Sequence, residues 1–351
     1  MAVTSRRDKI DEGMESGMNR MMVSAASFIV MLAAASSGSA QQVPKPIAEW
    51  PRPAEFPKED RAAAIQHFHK ARDYAVGDLF ADFALRCVTN PKYLTRVNNE
   101  QYDGHVEPMQ VFDDLYRVGQ MAVSAWALKT SDGIVLFDTL NNEEEARDIL
   151  EPALRKVGLD PKDVKWAILT HSHGDHFGGA PYFQRKGTRI IASDLDWKAM
   201  AAGKGRVPAP SRDMTVTDGQ TMTFGKTAVT FYVTPGHTIG TLSTIFPVTD
   251  RGAKHLVGFY GGAGLPRDVD AKRAQIASLS RWRTITTKAG VDAQIGNHPL
   301  NDEGLERDEQ LLYRRKQDPN PYVLGRAMYQ NYLGIQEECV RFALARDGFR
   351  D

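Results

Sequence analysis

Residues 170–176 constrain this chain more than any other stretch, because three histidines and an aspartate lie within six residues there. The segment directly follows an apolar run, 166–170, that predicts a buried strand, and glycines of a tight loop come after it. Neutral imidazoles and a carboxylate are ligands that zinc prefers in proteins. A polar loop with surface histidines is the alternative, but the His-x-His-x-Asp-His spacing after a strand favours a metal site.

Two further histidines also lie where predicted strands end. His237 follows the run 227–234 inside a glycine turn, and His298 follows the short strand 293–296. Loops that leave the ends of strands in one fold can converge at one edge. Three protein ligands per ion leave positions open for water, as in catalytic zinc sites. The sequence therefore predicts two zinc ions held by six residues: His171, His173, Asp175, His176, His237 and His298.

Three other histidines are expected not to bind metal. His67 and His69 lie in a stretch with helical spacing, which points them to different faces of the helix. His105 has no neighbouring candidate ligand in the sequence. All three are predicted to be solvated.

Strand and helix patterns alternate through residues 110–351. Runs 111–118, 121–128 and 133–138 have the composition of strands, and 143–157, 269–289 and 322–345 have helical spacing. This alternation favours sheets stacked with helices outside them, an α/β architecture. Residues 59–85 predict one or two helices packed over this body.

The N-terminal residues have the order of a secretory signal. Arg6, Arg7, Lys9 and Arg20 precede an apolar run, 21–35, and small residues lead to Ala40. The run is shorter than the ~20 apolar residues that a spanning helix needs, so no stable membrane insertion is expected after signal removal, although a retained anchor is the alternative. We predict a signal peptide at 1–40, a linker and helical extension at 41–109, a catalytic domain at 110–351, and a periplasmic or secreted protein.

Composition narrows the choice of partners. Lys+Arg and Asp+Glu both number 44, and no basic stripe with interleaved aromatics stands out, so nucleic acid is not an expected partner. Cys87 and Cys339 are the two cysteines, too few for a disulfide scaffold or a thiolate zinc site. Export permits them to pair, which the sequence leaves open.

The His-x-His-x-Asp-His motif, the Gly-His-Thr at 236–238 and the last histidine at 298 together resemble the metallo-β-lactamase superfamily over residues 111–299. The resemblance implies an αβ/βα four-layer sandwich with two central mixed sheets flanked by helices. It also implies that His171, His173 and His237 hold the first zinc. The second zinc would then be held by the remaining three ligands, as in the third, His-rich subclass of metallo-β-lactamases.

The chain departs from the superfamily at 259–264. Many superfamily hydrolases, such as glyoxalase II and the homoserine-lactone lactonases, carry a metal-bridging aspartate there, whereas this chain reads Phe-Tyr-Gly-Gly-Ala-Gly. The lactamase subclass usually offers a serine-rich loop there for the substrate carboxylate, and that loop is absent too. Residues 59–110 are expected to cover the site and to influence substrate choice.

These features predict a zinc-dependent, β-lactamase-like hydrolase of a small-molecule substrate. A metal-bound hydroxide would attack a cyclic amide or ester carbonyl. Asp175 would orient the hydroxide, and Tyr260 would contact the oxyanion or substrate, with core packing as its alternative role. A lactonase, esterase or amidase on the same two zinc ions is the nearest alternative. An iron-dependent oxidoreductase is less favoured, because His173 stands where flavodiiron proteins have glutamate and the distal aspartate is missing.

Overall fold

The computed structural model describes residues 52–93, 104–203, 207–299 and 302–351. The predicted signal peptide and the first part of the linker lie outside these residues. None of the helices in the described ranges is long and apolar enough to cross a membrane.

The first sheet has seven strands in sequence order. Its first four strands are antiparallel and its last four are joined in parallel, so the sheet is mixed. The strands are β1 Met109–Gln110, β2 Leu115–Gly119, β3 Ser124–Thr130, β4 Gly133–Phe137, β5 Val164–Ile168, β6 Arg189–Ser193 and β7 Met214–Val216.

The second sheet has five strands in the order β12-β11-β10-β9-β8. Only the pair β11 and β12 is parallel. Between the two sheets lies a dry core in which Phe137 and Phe246 stack with ring centroids 4.9 Å apart. The strands are β8 Thr221–Phe224, β9 Thr227–Val233, β10 Leu242–Asp250, β11 Ala253–Phe259 and β12 Ala293–Ile295.

Helices cover the outer face of each sheet. On the first sheet the segments Glu143–Glu145 (α4), Ala146–Leu150 and Glu151–Lys156 (α5) run on as one helical stretch, followed by α6 Gly174–Phe177, α7 Ala180–Arg185 and α8 Asp194–Ala202. On the second sheet lie α9 Val269–Ala289 and α11 Arg326–Arg346, with α10 Gly304–Leu312 between them in sequence. The order helix, sheet, sheet, helix confirms the predicted αβ/βα four-layer sandwich.

Local chemistry explains where these helices begin and end. Asp268 caps α9 by accepting a hydrogen bond from the Ala271 N–H, and Gly290 ends it in the left-handed region at φ +76°. Helix α8 begins at Asp194 because the side chain of Ser193 caps it by accepting a hydrogen bond from the Asp196 N–H.

The N-terminal segment packs on the second helical layer. It contains α1 Arg61–Tyr74, α2 Leu79–Phe83, a π-helical turn at Ala84–Thr89, and α3 Asn90–Tyr93. Its apolar side chains share one core cluster with Trp282 and Leu333. The Cys87–Cys339 disulfide, with Cα atoms 4.9 Å apart, links the segment covalently to α11.

Candidate metal centre

The sheet edges bring the six predicted ligands together in two groups. His171 and its neighbours follow β5, His237 lies between β9 and β10, and His298 follows β12. Within each group the ligand atoms lie within 4.8 Å of one another. The first group is His171, His173 and His237, and the second is Asp175, His176 and His298.

The first group consists of three imidazoles in nearly perpendicular orientations. The ring centroid of His237 lies 4.6 Å from those of both His171 and His173. Because a carbonyl only accepts, Nδ1 of His171 must donate to Gly261 O at 3.0 Å, and Nδ1 of His237 must donate to Gly264 O at 3.1 Å. Each ring then presents the lone pair of Nε2 as a ligand. Nε2 of His171 is buried and has no hydrogen-bond partner among the described residues, which fits a bound cation.

The second group adds a carboxylate. Asp175 Oδ2 lies 3.2 Å from Nε2 of His176 and 3.8 Å from Nε2 of His298, and the two Nε2 atoms are 3.2 Å apart. His298 Nδ1 donates to Ala122 O at 2.9 Å. His176 Nδ1 lies 2.7 Å from Asp138 Oδ2. Two nitrogens and an oxygen that converge in this way are a donor set that suits zinc.

Burial and neighbouring charge set the protonation of these groups. Burial, reinforced by the surrounding imidazoles, lowers the pKa of His171 well below its ordinary value and that of His237 to about 3. Burial opposes protonation of His176 as well, but the Asp175 and Asp138 carboxylates outweigh it and raise its pKa to about 10. Burial opposes ionisation of Asp175, yet His176 and His298 hold its pKa well below its usual range. Asp175 is therefore an anion at neutral pH.

Asp138 was not anticipated from the sequence. It is fully buried at the end of β4, where it accepts hydrogen bonds at 2.8 Å from both the N–H and the hydroxyl of Thr170, and it contacts His176. Its φ of +63° is unusual for a residue with a side chain. Its position could have indicated a role, because Asp138 is the last residue of the predicted strand 133–138 and the six ligands also lie where predicted strands end.

Asp196 was also missed. This buried residue of α8 accepts hydrogen bonds from Ser172 Oγ at 2.8 Å and from Thr238 Oγ1 at 3.1 Å. It therefore ties the loop that carries His171 to the loop that carries His237. Nothing in the helical pattern of α8 pointed to this contact.

The sequence profile of the metallo-β-lactamase superfamily matches residues 118–250. The chain carries a domain of the metallo-β-lactamase superfamily.

Curated relatives resemble parts of the chain. A hydroxyacylglutathione hydrolase of Acidiphilium cryptum is 38% identical over 84 residues, which are 24% of this chain and 31% of that protein. A type 2 metallo-β-lactamase of Elizabethkingia meningoseptica is 28% identical over 127 residues, 36% of this chain and 48% of that protein. The chain thus spans less than half the length of either relative.

Solved structures share the fold over a longer region. The subclass B3 metallo-β-lactamase of Bradyrhizobium japonicum superposes with a TM-score of 0.58 at 23% identity, covering 68% of this chain and 94% of that one. The metallo-β-lactamase of Legionella gormanii gives 0.60 at 20% identity, covering 70% and 98%. At these identities the likeness establishes the fold.

The glycine segment 261–264 explains why the superfamily's bridging aspartate has no counterpart here. A Cβ atom at Gly264 would lie 2.5 Å from Cε1 of His237, and one at Gly261 would lie 2.0 Å from Leu242 O. The backbone therefore passes too close to its neighbours for side chains at these positions. Its carbonyl groups instead orient His171 and His237.

Tyr260 lies in the wall of a cavity of about 340 Å³ that also reaches His298. Its hydroxyl is buried without a hydrogen-bond partner among the described residues, and burial raises its pKa, so it is a neutral donor. Its ring also packs toward Trp282, with centroids 6.2 Å apart. The catalytic role of Tyr260 stays a prediction.

The three histidines predicted to be solvated belong to neither ligand group. His67 is half-buried and pairs with Glu338 at 2.7 Å, which differs from the expected full solvation. His69 and His105 are exposed, as the sequence indicated.

Proposed function

We propose that this superfamily member is a di-zinc hydrolase that opens a cyclic amide or ester, as β-lactamases do. The observation that carries the proposal is the pair of ligand groups, His171 with His173 and His237, and Asp175 with His176 and His298. Each supplies three protein ligands, the number typical of catalytic zinc. Curated relatives that are hydrolases support the reaction class.

Bound zinc ions supply a Lewis acid for the carbonyl oxygen and lower the pKa of water toward neutrality. The chain's own contribution begins with Asp175, whose ionised side chain is about one-third exposed (32%) and so reaches the site as a hydrogen-bond acceptor that orients water. The Tyr260 hydroxyl is free to donate to the oxygen that gains negative charge.

The nearest alternative substrates are lactones, other esters and other amides, since the same ligands serve all of them. The absence of a carboxylate at 261–264 favours a site unlike those of superfamily hydrolases with a bridging aspartate. An iron oxidoreductase is less favoured, because five of the six ligands are imidazoles.

We also propose that the protein acts after export, with signal cleavage following Ala40. The Cys87–Cys339 disulfide supports this, because disulfides persist in oxidising compartments. Mass spectrometry of protein recovered from the periplasm or medium should show Gln41 as the first residue. A mature chain that retains residues 21–35 contradicts the proposal.

The deciding experiment is a hydrolysis panel of a β-lactam, a γ-lactone, an aryl ester and a linear amide. Zinc-loaded protein should turn over at least one cyclic substrate, chelation should abolish the activity, and zinc should restore it. Full activity after exhaustive chelation contradicts metal-dependent hydrolysis. Isolation with stoichiometric iron and oxygen-dependent turnover instead favours the oxidoreductase.

A further inference from the structure

The cavity beside the metal centre contains an arginine that the reaction described above does not use. Arg86, in the π-helical turn Ala84–Thr89, lines the cavity and donates from Nη1 to Ala263 O. Its Nε and Nη2 atoms are buried and have no hydrogen-bond partner among the residues that the structure describes. Three of its five N–H groups therefore lie buried and unmatched.

Among the described residues, no carboxylate hydrogen-bonds to this guanidinium. Asp82 is the acidic residue closest to it in sequence, but both carboxyl oxygens of Asp82 lack a hydrogen-bond partner among the described residues. Burial raises the pKa of Asp82 to about 8, so it is mostly protonated at neutral pH. Burial also lowers the pKa of Arg86, yet a guanidinium keeps its charge in proteins. A buried cation without a counter-ion is costly, and an anionic ligand removes that cost.

The other cations in the cavity wall are exposed or have partners. Arg267 is exposed. Nε and Nη1 of Arg346 are buried without a hydrogen-bond partner among the described residues, as in Arg86, but the Nε of Arg346 lies 3.8 Å from Glu59 Oε1. Lys272 Nζ lies 2.6 Å from Asp347 Oδ2. The guanidinium of Arg346 stacks 4.0 Å from the ring centroid of Phe342 and 4.5 Å from that of Phe56. Arg86 is thus the cavity-lining cation that combines buried, unmatched N–H groups with neither an ion pair nor an aromatic face among the described residues.

The position of Arg86 connects it to the metal centre. The residue that accepts its hydrogen bond, Ala263, precedes Gly264, whose carbonyl oxygen orients His237. The same cavity is bounded by His298, a ligand of the second group. Between these ends the wall is largely apolar, with Leu85, Leu265 and Tyr332 among its residues. A cavity of about 340 Å³ is large enough for a small organic molecule.

We propose that the substrate is an organic monoanion with an apolar body, and that Arg86 binds its carboxylate or other oxyanion group while the scissile carbonyl reaches the metal centre. A planar guanidinium with two free N–H-bearing nitrogens matches such a group in a bidentate pair. This inference rests on the proposed hydrolase. It assigns anion binding to the N-terminal segment, because the glycine segment 261–264 offers no polar side chain for it.

A purely structural role for Arg86, holding Ala263 O, makes a different prediction. In that case a substitution alters charged and neutral ligands equally, because it distorts the wall of the cavity. Specific anion recognition instead changes only the binding of the charged ligand.

The test measures equilibrium binding to the zinc-loaded, full-length protein by titration calorimetry. The probes are 3-phenylpropane-1-sulfonate, an oxyanion that binds zinc weakly, and the neutral 3-phenylpropyl methyl sulfone. The wild-type protein should bind the sulfonate about 10- to 100-fold more tightly than the sulfone, the range for a charge-assisted pair. Arg86→Gln should remove this preference and leave sulfone binding unchanged.

Arg72→Gln is the matched control. Arg72 lies in the same segment and also donates to a backbone carbonyl, Ala75 O at 3.1 Å, but it does not line the cavity. This variant should keep the wild-type preference. Wild-type protein without a preference, or a folded Arg86→Gln variant that retains it, overturns the proposal.

Arg86→Lys covers the case in which Arg86→Gln does not fold. It keeps the charge but loses the bidentate geometry, so its preference for the sulfonate should be weaker than that of wild type yet still present. An unchanged preference in this variant overturns the bidentate assignment. Because the assay needs no turnover, sulfonate selectivity without hydrolysis of any panel substrate refutes the hydrolase and leaves the anion site standing.

Discussion

The two ligand groups lie side by side, yet the chain supports them in different ways. In the first, the backbone carbonyls of Gly261 and Gly264 orient His171 and His237. In the second, a side chain, Asp138, contacts His176. The first group is also electrically neutral, whereas the second contains the Asp175 carboxylate beside an imidazole with a raised pKa.

This difference determines which substitutions can disrupt each group. A carbonyl group cannot be removed by substitution, so the first group depends on the path of the glycine segment. In the second, the Ala122 carbonyl likewise orients His298, whereas His176 depends on one buried carboxylate, Asp138, and is open to a single conservative change. The charge difference further predicts that the two groups respond oppositely to pH.

The largest effects should come from the ligands themselves, and they test whether the two groups are independent. His237→Ala removes a ligand from the first group, and His298→Ala removes one from the second. Each should lower turnover by more than about 100-fold, because 100-fold is the largest loss typical of removing a residue that only supports a metal ligand. Each should also reduce the zinc content, measured by plasma mass spectrometry, from two ions to one.

His69→Ala is the matched control, because His69 is exposed and distant from both groups in sequence. It should leave both turnover and zinc content unchanged. If either ligand variant loses both ions, the two groups form one cooperative site and the comparison fails.

The second-largest effect should come from Asp138→Asn, which should weaken metal binding in the second group and not in the first. Asparagine tolerates the positive φ at this position, so the backbone is preserved while the charge opposite His176 is lost. Zinc affinity of the second group should fall about 10- to 100-fold, the range for an outer contact to a histidine ligand. Competition with a chromophoric chelator resolves the two affinities, and equal weakening of both sites counts against the distinction.

The pH dependence of stability tests the charge difference in chelator-treated protein. The pKa of His176 rises from 6.5 to about 10 on folding, so its contribution is complete below about pH 6.5 and is lost as pH rises toward 10. His237, with a pKa lowered to about 3, costs stability as pH falls below 6.5. Between pH 7 and 9 the free energy of unfolding should therefore fall by up to about 1.4 kcal/mol per pH unit through His176.

Urea unfolding monitored by circular dichroism measures this slope. The Asp138→Asn variant should show a shallower slope, because one of the two carboxylates that raise the pKa of His176 is gone. A stability that rises steadily from pH 7 to 9 contradicts the assignment.

Tyr260→Phe should give the smallest effect and tests its predicted catalytic role. The hydroxyl has no hydrogen-bond partner among the described residues, so its removal should leave the melting temperature within a degree or two, as roughly expected for deleting an unmatched polar group. Loss of one hydrogen bond to the reacting oxygen should lower kcat about tenfold with KM little changed. Unchanged kcat assigns Tyr260 to packing alone.

The candidate metal centre could be predicted from the sequence because its ligands are of two metal-binding residue types and all follow predicted strands. Three loops at strand ends carry all six residues, and the apolar strands before them are short and clearly bounded. The same regularity predicted an α/β architecture, whereas the four-layer sandwich was implied by the resemblance to the superfamily. Helix α9 matches its expected limits because both of its caps are local.

The supporting contacts could not be predicted in this way. Asp196 belongs to a helix, and its partners Ser172 and Thr238 are 24 and 42 residues away in sequence. Arg86 lies one residue beyond the stretch 59–85 that was predicted to be helical, and its contact with Ala263 spans 177 residues. Such contacts arise from tertiary packing, for which a sequence pattern carries no periodic signature.

The disulfide has a practical consequence for anyone who prepares this protein. Cys87 is the residue after Arg86, so its bond to Cys339 on α11 fixes the turn that carries the cavity arginine. Protein made in a reducing cytoplasm, or assayed with dithiothreitol, would keep its six candidate metal ligands yet lose this tether. Its apparent substrate preference would then depend on the history of the sample, and assays of selectivity should begin with a count of free thiols.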